Sequence, residues 1–305
     1  RHLPRSQRRP ARPAVSADAT HPCIPLRHGR WRATVLPRLG GSLGRLDHQR
    51  DGHWQPLLRP APADAHDPRQ TACFPMAPFC GRIRDGRFVF RGRAVSLPAT
   101  PPETHSPLHG LVWHQPWQVV ERDAARLAIA CAHPPGDWPW PFLATQVFSL
   151  DDDGLGIELS VTNSGRERMP CGLGLHPYFP CHAGTRFRAR LARRVRRDAA
   201  QIPVGHEACA GFAHAPIHRL GIDDSFDGWD GELHIDDTAG IRTVLRADAT
   251  RLHVYAPAGE NYFCAEPISH EVNALALGET AASSTGLWLL APGDSARLRL
   301  RVQLS

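Results

Sequence analysis

The sequence predicts an all-β protein built from many short antiparallel strands. Three observations carry that prediction. Proline (29) and glycine (26) are scattered through the 305 residues, and punctuation that dense leaves little room for long helices. Apolar residues recur with a period of two in short runs. Turn-forming residues separate those runs at roughly regular spacing, the pattern of a sandwich or barrel.

The elements follow in order. In RWRATVLP, Trp31, Ala33 and Val35 share one face and Arg32 and Thr34 the other. DGRFVFRGRAVSL reads as two strands around Arg91-Gly92, and WQVVERDAARLAIACA as a hairpin turning at Asp123 to Ala125. FLATQVFSLDDDGLGIELSVTN has the clearest pattern: alternation, an Asp-Asp-Asp-Gly turn, then Leu155, Ile157, Leu159 and Val161 on one face. In RFRARLARRVRR, Arg186, Arg188 and Arg190 alternate with Phe187, Ala189 and Leu191, a strand with a solvated arginine face. GELHIDD, IRTVLRA and RLHVYAP continue the strands, and SHEVNALALG has room for one helical turn. GLWLLAPGDSARLRLRVQL repeats the hairpin device, turning at Pro292-Gly293-Asp294.

No Gly/Ser linker and no repeat divides the chain after residue 25, so residues 25–305 read as one domain. Residues 1–24, rich in arginine and proline, read as a disordered extension. The net charge of +6 belongs to the head. Residues 1–32 carry eight arginines and one acid, whereas the other 28 basic residues are balanced by 29 acids. A near-neutral body with Phe187 as the one aromatic in its basic run argues against a nucleic-acid groove. No apolar run is long enough for a membrane-spanning helix.

Every one of the 36 basic residues is arginine. Without lysine there is no Schiff-base chemistry and no P-loop. The eight cysteines form no Cys-x-x-Cys pair, and reduced thiols in a cytoplasmic protein are the reading they support. No His-Glu-x-x-His cluster calls for zinc, and neither a metal nor a cofactor is expected.

The polar residues that stand out interrupt apolar or turn-rich stretches: Arg82, His109, His176, Asp223, Asp224 and Glu266. Glu266, in FCAEPIS, is the hardest to treat as ordinary surface, because burying a carboxylate without a partner is costly. A sheltered carboxylate gains a raised pKa and can act as a base near neutral pH, and a histidine opposite it can donate a proton. Such a kit suits a reaction that moves two protons and forms no covalent intermediate.

Five ordered segments resemble the aldose 1-epimerase (galactose mutarotase) family. They are FPMAPFCGRIRDGRFVFRGR, HSPLHGLVWHQPWQV, GLGLHPYF, GIDDSFDGWDG and FCAEPISHEVNAL, and the likeness spans residues 28–305. The resemblance implies a large antiparallel β-supersandwich with few short helical turns and an open sugar cleft. It implies Glu266 as the base at the anomeric hydroxyl and His176 as the acid at the ring oxygen. His109 would hold the sugar near that oxygen, and Arg82 and Asp223 (or its neighbour Asp224) would contact sugar hydroxyls. Trp113 and Tyr178 are candidates for the cleft wall. His176 and Glu266 are expected to face each other across a cleft one sugar ring wide. Gly81 departs from the family, which often has asparagine before the arginine. The expected partner is a small sugar bound by a monomer or homodimer, with no nucleic acid or membrane involved. Two alternatives stand beside this reading. One is a hexose 6-phosphate 1-epimerase, using Arg82 and Arg84 for the phosphate. The other is a non-catalytic sugar-binding relative, which would have no use for both His176 and Glu266.

Overall fold

The structure, a computed structural model, describes residues 23–103 and 105–305. The expected extension at residues 1–24 therefore falls almost wholly outside the described residues; Ile24 already opens the first strand, Ile24–His28. The fold is all-β. An eleven-stranded and a nine-stranded antiparallel sheet dominate it, and among the described residues helix is confined to short turns such as Ala274–Leu277 and Ala282–Thr285.

The strand patterns read from the sequence reappear as burial. Trp31, Ala33 and Val35 are buried along Trp31–Leu36 while the intervening residues are not. Leu155, Ile157, Leu159 and Val161 are buried along Gly154–Asn163. Strands Arg87–Phe90 and Arg93–Ser96 pair around Arg91 and Gly92, which have φ of 51° and 80°. Two consecutive positive φ values define the hairpin turn whose twist matches its strands, and glycine meets that demand without steric cost. At the Asp123 turn, the carboxylate accepts from the backbone N–H groups of Ala125 and Arg126.

One continuous apolar core joins the sheets. It includes Leu26, Val35 and Leu46 from the larger sheet and Phe148, Ile157 and Leu298 from the smaller. Each such side chain contributes about 1.5–3 kcal/mol on burial, so this layer is what sets the larger sheet rigidly in place. A second, smaller cluster of Phe74, Met76, Cys80, Trp113, Tyr178, Cys264 and Ile268 lies on the opposite face of that sheet. This is the face that carries the site. The eight cysteines are unbridged. Among the described residues no helix is long and apolar enough to cross a membrane.

Two expectations are corrected. Trp288–Leu290 and Ser295–Leu304 do turn at residues 291–294 but do not pair with each other. The first pairs with Met169–Cys171 and the second with Gly154–Asn163 and Arg242–Ala247. The arginine-rich run is also not one strand. Arg186–Ala189 lies in the smaller sheet and Arg193–Arg197 in the larger, so its last arginine reaches a different environment from its first.

Candidate active site

Five neighbouring strands of the larger sheet build the floor of a cleft. In spatial order they are Cys73–Met76, Gly174–Pro180, Tyr262–Ile268, Arg251–Ala256 and Ile222–Asp227. Their registers place one transverse row of side chains. Phe74 pairs with His176, the flanking pairs Gly174–Ile268 and Tyr178–Cys264 set His176 opposite Glu266, Glu266 pairs with His253, and His253 with Ser225. In-register partners point to the same face of a sheet, so the row is a direct consequence of strand alignment.

His176 and Glu266 are in contact, with Nε2 3.1 Å from Oε1, and both are buried, at 7% and 2% exposure. The imidazole packs against two aromatic rings, Phe74 at 4.4 Å and Tyr178 at 4.7 Å between ring centres. Its Nδ1 is buried and has no hydrogen-bond partner. Burial, followed by the charges of His109 and His253, holds His176 well below the usual histidine range. Burial also pushes Glu266 up to about 7, against the lowering influence of His253 and Arg82. Glu266 thus changes protonation near neutral pH, beside an imidazole that burial keeps neutral.

The remaining candidates surround this pair. His109 takes a left-handed backbone (φ 59°), and its Nδ1 accepts the Gly81 N–H at 3.3 Å. The ring proton therefore sits on Nε2, and burial keeps the ring neutral by lowering its pKa to about 3. Arg82 lines the cleft and is held by Glu103 through two contacts, at 2.9 and 3.2 Å. Asp223 also lines it, with Oδ1 2.9 Å from His253 Nε2. Although burial alone would raise its pKa, His253 and then Arg197 and Arg82 bring it down to about 2. Asp224 instead pairs with Arg194 and Arg197, at 2.6 and 2.9 Å. Of the two aspartates, Asp223 is the one on the cleft.

Tyr178 forms part of the wall, with the Arg59 guanidinium 3.8 Å from its ring centre on one side and His176 stacked on it. Trp113 does not. It is fully buried, stacks on Phe74 at 5.0 Å and donates its indole N–H to the Leu108 carbonyl. It packs beside Phe74 and His109 on the cleft face without lining the cleft, and its size explains why it resembled a wall residue in the sequence. The expectation that His176 and Glu266 face each other across a sugar-wide gap is also corrected, since they are side-by-side neighbours.

Sequence reasoning missed several polar cleft residues, among them His253, Arg197, Gln201, Arg69 and Tyr255. His253 sits in RLHVYAP, two residues before Tyr255, and the strand's alternation could have flagged it as facing the same way. Arg197 looked like surface charge at the end of a basic run, but its side chain is only 11% exposed. Gln201 reaches the cleft from a turn, where no periodicity operates. The reading also passed over Gly40-Gly41-Ser42-Leu43-Gly44, which has the spelling of a serine nucleophile elbow. Ser42 opens the strand Ser42–Arg50 instead of sitting between strand and helix, and it is fully buried.

The ligand atoms of His109, His176 and Glu266 lie within 4.8 Å of one another, a spacing compatible with a metal ion. One feature opposes a metal: Gly81 N–H occupies His109 Nδ1, leaving the proton on the nitrogen a metal would need. Arg69, Arg82 and Arg197 line the same cleft. Each of those arginines has a carboxylate partner: Asp67, Glu103 and, shared with Arg194, Asp224.

A two-sheet β fold with a buried histidine–glutamate pair in a cleft on one sheet face matches a known class of proteins. The aldose 1-epimerase family profile matches residues 22–303, and the chain belongs to that family. YphB of Escherichia coli K12, an uncharacterised protein, is 31% identical over 301 residues, covering 91% of this chain and 98% of YphB. A galactose mutarotase-like protein from Clostridium acetobutylicum superposes with a TM-score of 0.85 at 19% identity, covering 96% of this chain and 97% of that one. Galactose 1-epimerase from Lactobacillus acidophilus superposes with a TM-score of 0.72 at 15% identity, covering 93% and 94%. At those identities the two structures bear on the fold.

Proposed function

We propose that the protein is an aldose 1-epimerase that interconverts the α and β anomers of a neutral aldohexose. The observation that carries this reading is the buried contact between His176 and Glu266 on the floor of the cleft. The two oxygens that exchange protons in this reaction, the ring oxygen and the anomeric oxygen, are bonded to the same carbon. An acid and a base serving them must stand side by side, as these two residues do.

The Glu266 carboxylate takes the proton of the anomeric hydroxyl. The C1–O5 bond breaks as the C1–O1 double bond forms, and His176 Nε2–H protonates O5. Rotation about C1–C2 presents the other carbonyl face. On closure His176 recovers the proton from O5 and Glu266 returns one to O1. The pair holds a single proton at every stage, alternating between carboxylate with imidazolium and carboxyl with imidazole. No covalent intermediate and no cofactor enters. Acid and base typically contribute about 10²–10⁴-fold each. His109 Nε2–H points a donor at the sugar, while Arg82 and Asp223 bond its hydroxyls.

A neutral sugar fits better than a phosphorylated one, because the cleft arginines are already neutralised by carboxylates. Arg84, the other candidate for a phosphate, is engaged by Asp198 at 2.5 Å. The reading is tested by exchange NMR on equilibrated glucose and galactose. Added protein should create cross-peaks between the α and β H1 signals, and their absence for every neutral aldohexose tried would sink it.

A further inference from the structure

The proton cycle above makes no use of His253, yet this residue is the in-register neighbour of Glu266 on the side away from His176. Both of its ring nitrogens meet oxygens. Nε2 lies 2.9 Å from Asp223 Oδ1, and Nδ1 lies 2.8 Å from Ser225 Oγ. Carboxylate and hydroxyl can each accept, so a doubly protonated ring has both N–H groups bonded. His176 is the reverse case, with a buried Nδ1 that has no partner. The two histidines on either side of Glu266 thus differ in their partners: only His253 has an oxygen at each ring nitrogen, so only His253 has both N–H groups bonded when doubly protonated.

The charged and titratable groups that surround His253 are mixed. Asp223 faces it from Ile222–Asp227, Glu266 from Tyr262–Ile268, Arg197 from Arg193–Arg197 and His176 from Gly174–Pro180, with Arg82 and His109 on the cleft rim. Arg197 opposes a cation there, but Asp224 holds its guanidinium at 2.9 Å. Burial lowers the His253 pKa, and the charge of Glu266 and the bond to Asp223 outweigh burial and raise it.

We propose that His253 is the positioning cation of this site: clamped by Asp223 and Ser225, it faces Glu266 and favours the ionised form of that carboxylate. His253 forms and breaks no bond and keeps its own proton throughout the cycle. Its charge favours the carboxylate that must meet the anomeric hydroxyl. The inference rests on the acid–base reading above.

The direct test is independent of turnover. The full chain, labelled with ¹⁵N-histidine, is titrated by NMR as wild type, Asp223→Asn and Glu266→Gln, with His253→Gln to assign the signal. His253 should titrate above the ordinary histidine range in the wild type and lower in both variants. A titration unmoved by either substitution overturns the proposal, whatever the protein does with sugars. The kinetic test uses His253→Gln and His253→Lys. The glutamine variant should lose kcat roughly tenfold, with KM little changed and the alkaline limb of its pH profile moved to higher pH. Lysine, which restores a charge, should recover part of kcat. A His253→Gln variant that changes KM alone, with an unaltered pH profile, would make His253 an ordinary sugar contact and overturn its role as a cation.

Discussion

Nε2 of His176 lies 3.1 Å from Oε1 of Glu266, on adjacent antiparallel strands and in register. The contact follows from strand alignment, not from loop geometry, so sheet hydrogen bonding and the packing of Phe74 and Tyr178 hold it in place. Rigid mounting of reacting groups is worth several orders of magnitude in rate, because the orientation entropy is lost on folding and not at each turnover.

Removing either member breaks the one-proton cycle. Glu266→Gln and His176→Asn should each lower kcat by about 10²–10⁴-fold. The double variant should be little worse than either single one, because the two residues act as a unit. Stopped-flow or coupled-dehydrogenase assays of anomer interconversion read this directly. Additive losses would mean that the residues act independently.

The pH profile has a defined direction. Glu266 is pushed up to about 7 by burial, and His176 is held well below the ordinary range. The pair therefore loses its last proton as pH rises through about 7, after which His176 has nothing to donate. It gains a second proton only in distinctly acid solution. The ratio kcat/KM should fall on the alkaline side of about pH 7 and persist into mildly acid pH, in a buffer series at constant ionic strength.

The same burial makes Glu266 a stability liability. Its folded pKa of about 7 exceeds its ordinary 4.5, so the folded state binds the proton more tightly than the unfolded chain. That contribution is fully present below 4.5 and is lost as pH rises through about 7. The gap corresponds to about 3 kcal/mol. Thermal melts should show Glu266→Gln more stable than wild type at pH 8, with most of the advantage gone at pH 4.5.

Much of this was legible in the sequence. Period-two runs located the strands, and a carboxylate and a histidine set in apolar strands located the pair. The missing parts depend on register between strands far apart in the chain. His253 becomes a neighbour of Glu266 only through the pairing of Arg251–Ala256 with Tyr262–Ile268, and Arg197 reaches the cleft only because its run divides between sheets. Trp113 erred the other way, because a large ring beside a site motif reads alike whether it lines a cleft or is buried next to it.

Gly81 shows how a departure from the family pattern can have a local cause. Its φ is 66°, and a Cβ there would sit 2.6 Å from Val272 Cγ2. Asparagine tolerates the left-handed backbone, but Val272 blocks its side chain. Gly81→Asn should cost about 1–3 kcal/mol in chemical denaturation, and Val272→Ala added to it should recover most of that.

The proposed preference for a neutral sugar rests in part on the pairing of Arg82 with Glu103. Glu103→Gln frees the guanidinium, and the KM for glucose 6-phosphate relative to glucose should fall about tenfold, the worth of one charge-assisted hydrogen bond. An unchanged ratio would place the phosphate end of the sugar away from Arg82.

The central claim is that a buried, one-proton pair of His176 and Glu266 opens and closes a sugar ring. Polarimetry of freshly dissolved α-glucose and α-galactose tests it most directly, with wild type, His176→Asn and Glu266→Gln compared at equal concentration. The account predicts that the wild type hastens the approach to equilibrium rotation for a neutral hexose and that neither variant does so measurably. A wild type that leaves the spontaneous rate unchanged, or variants that retain the full rate, would contradict it.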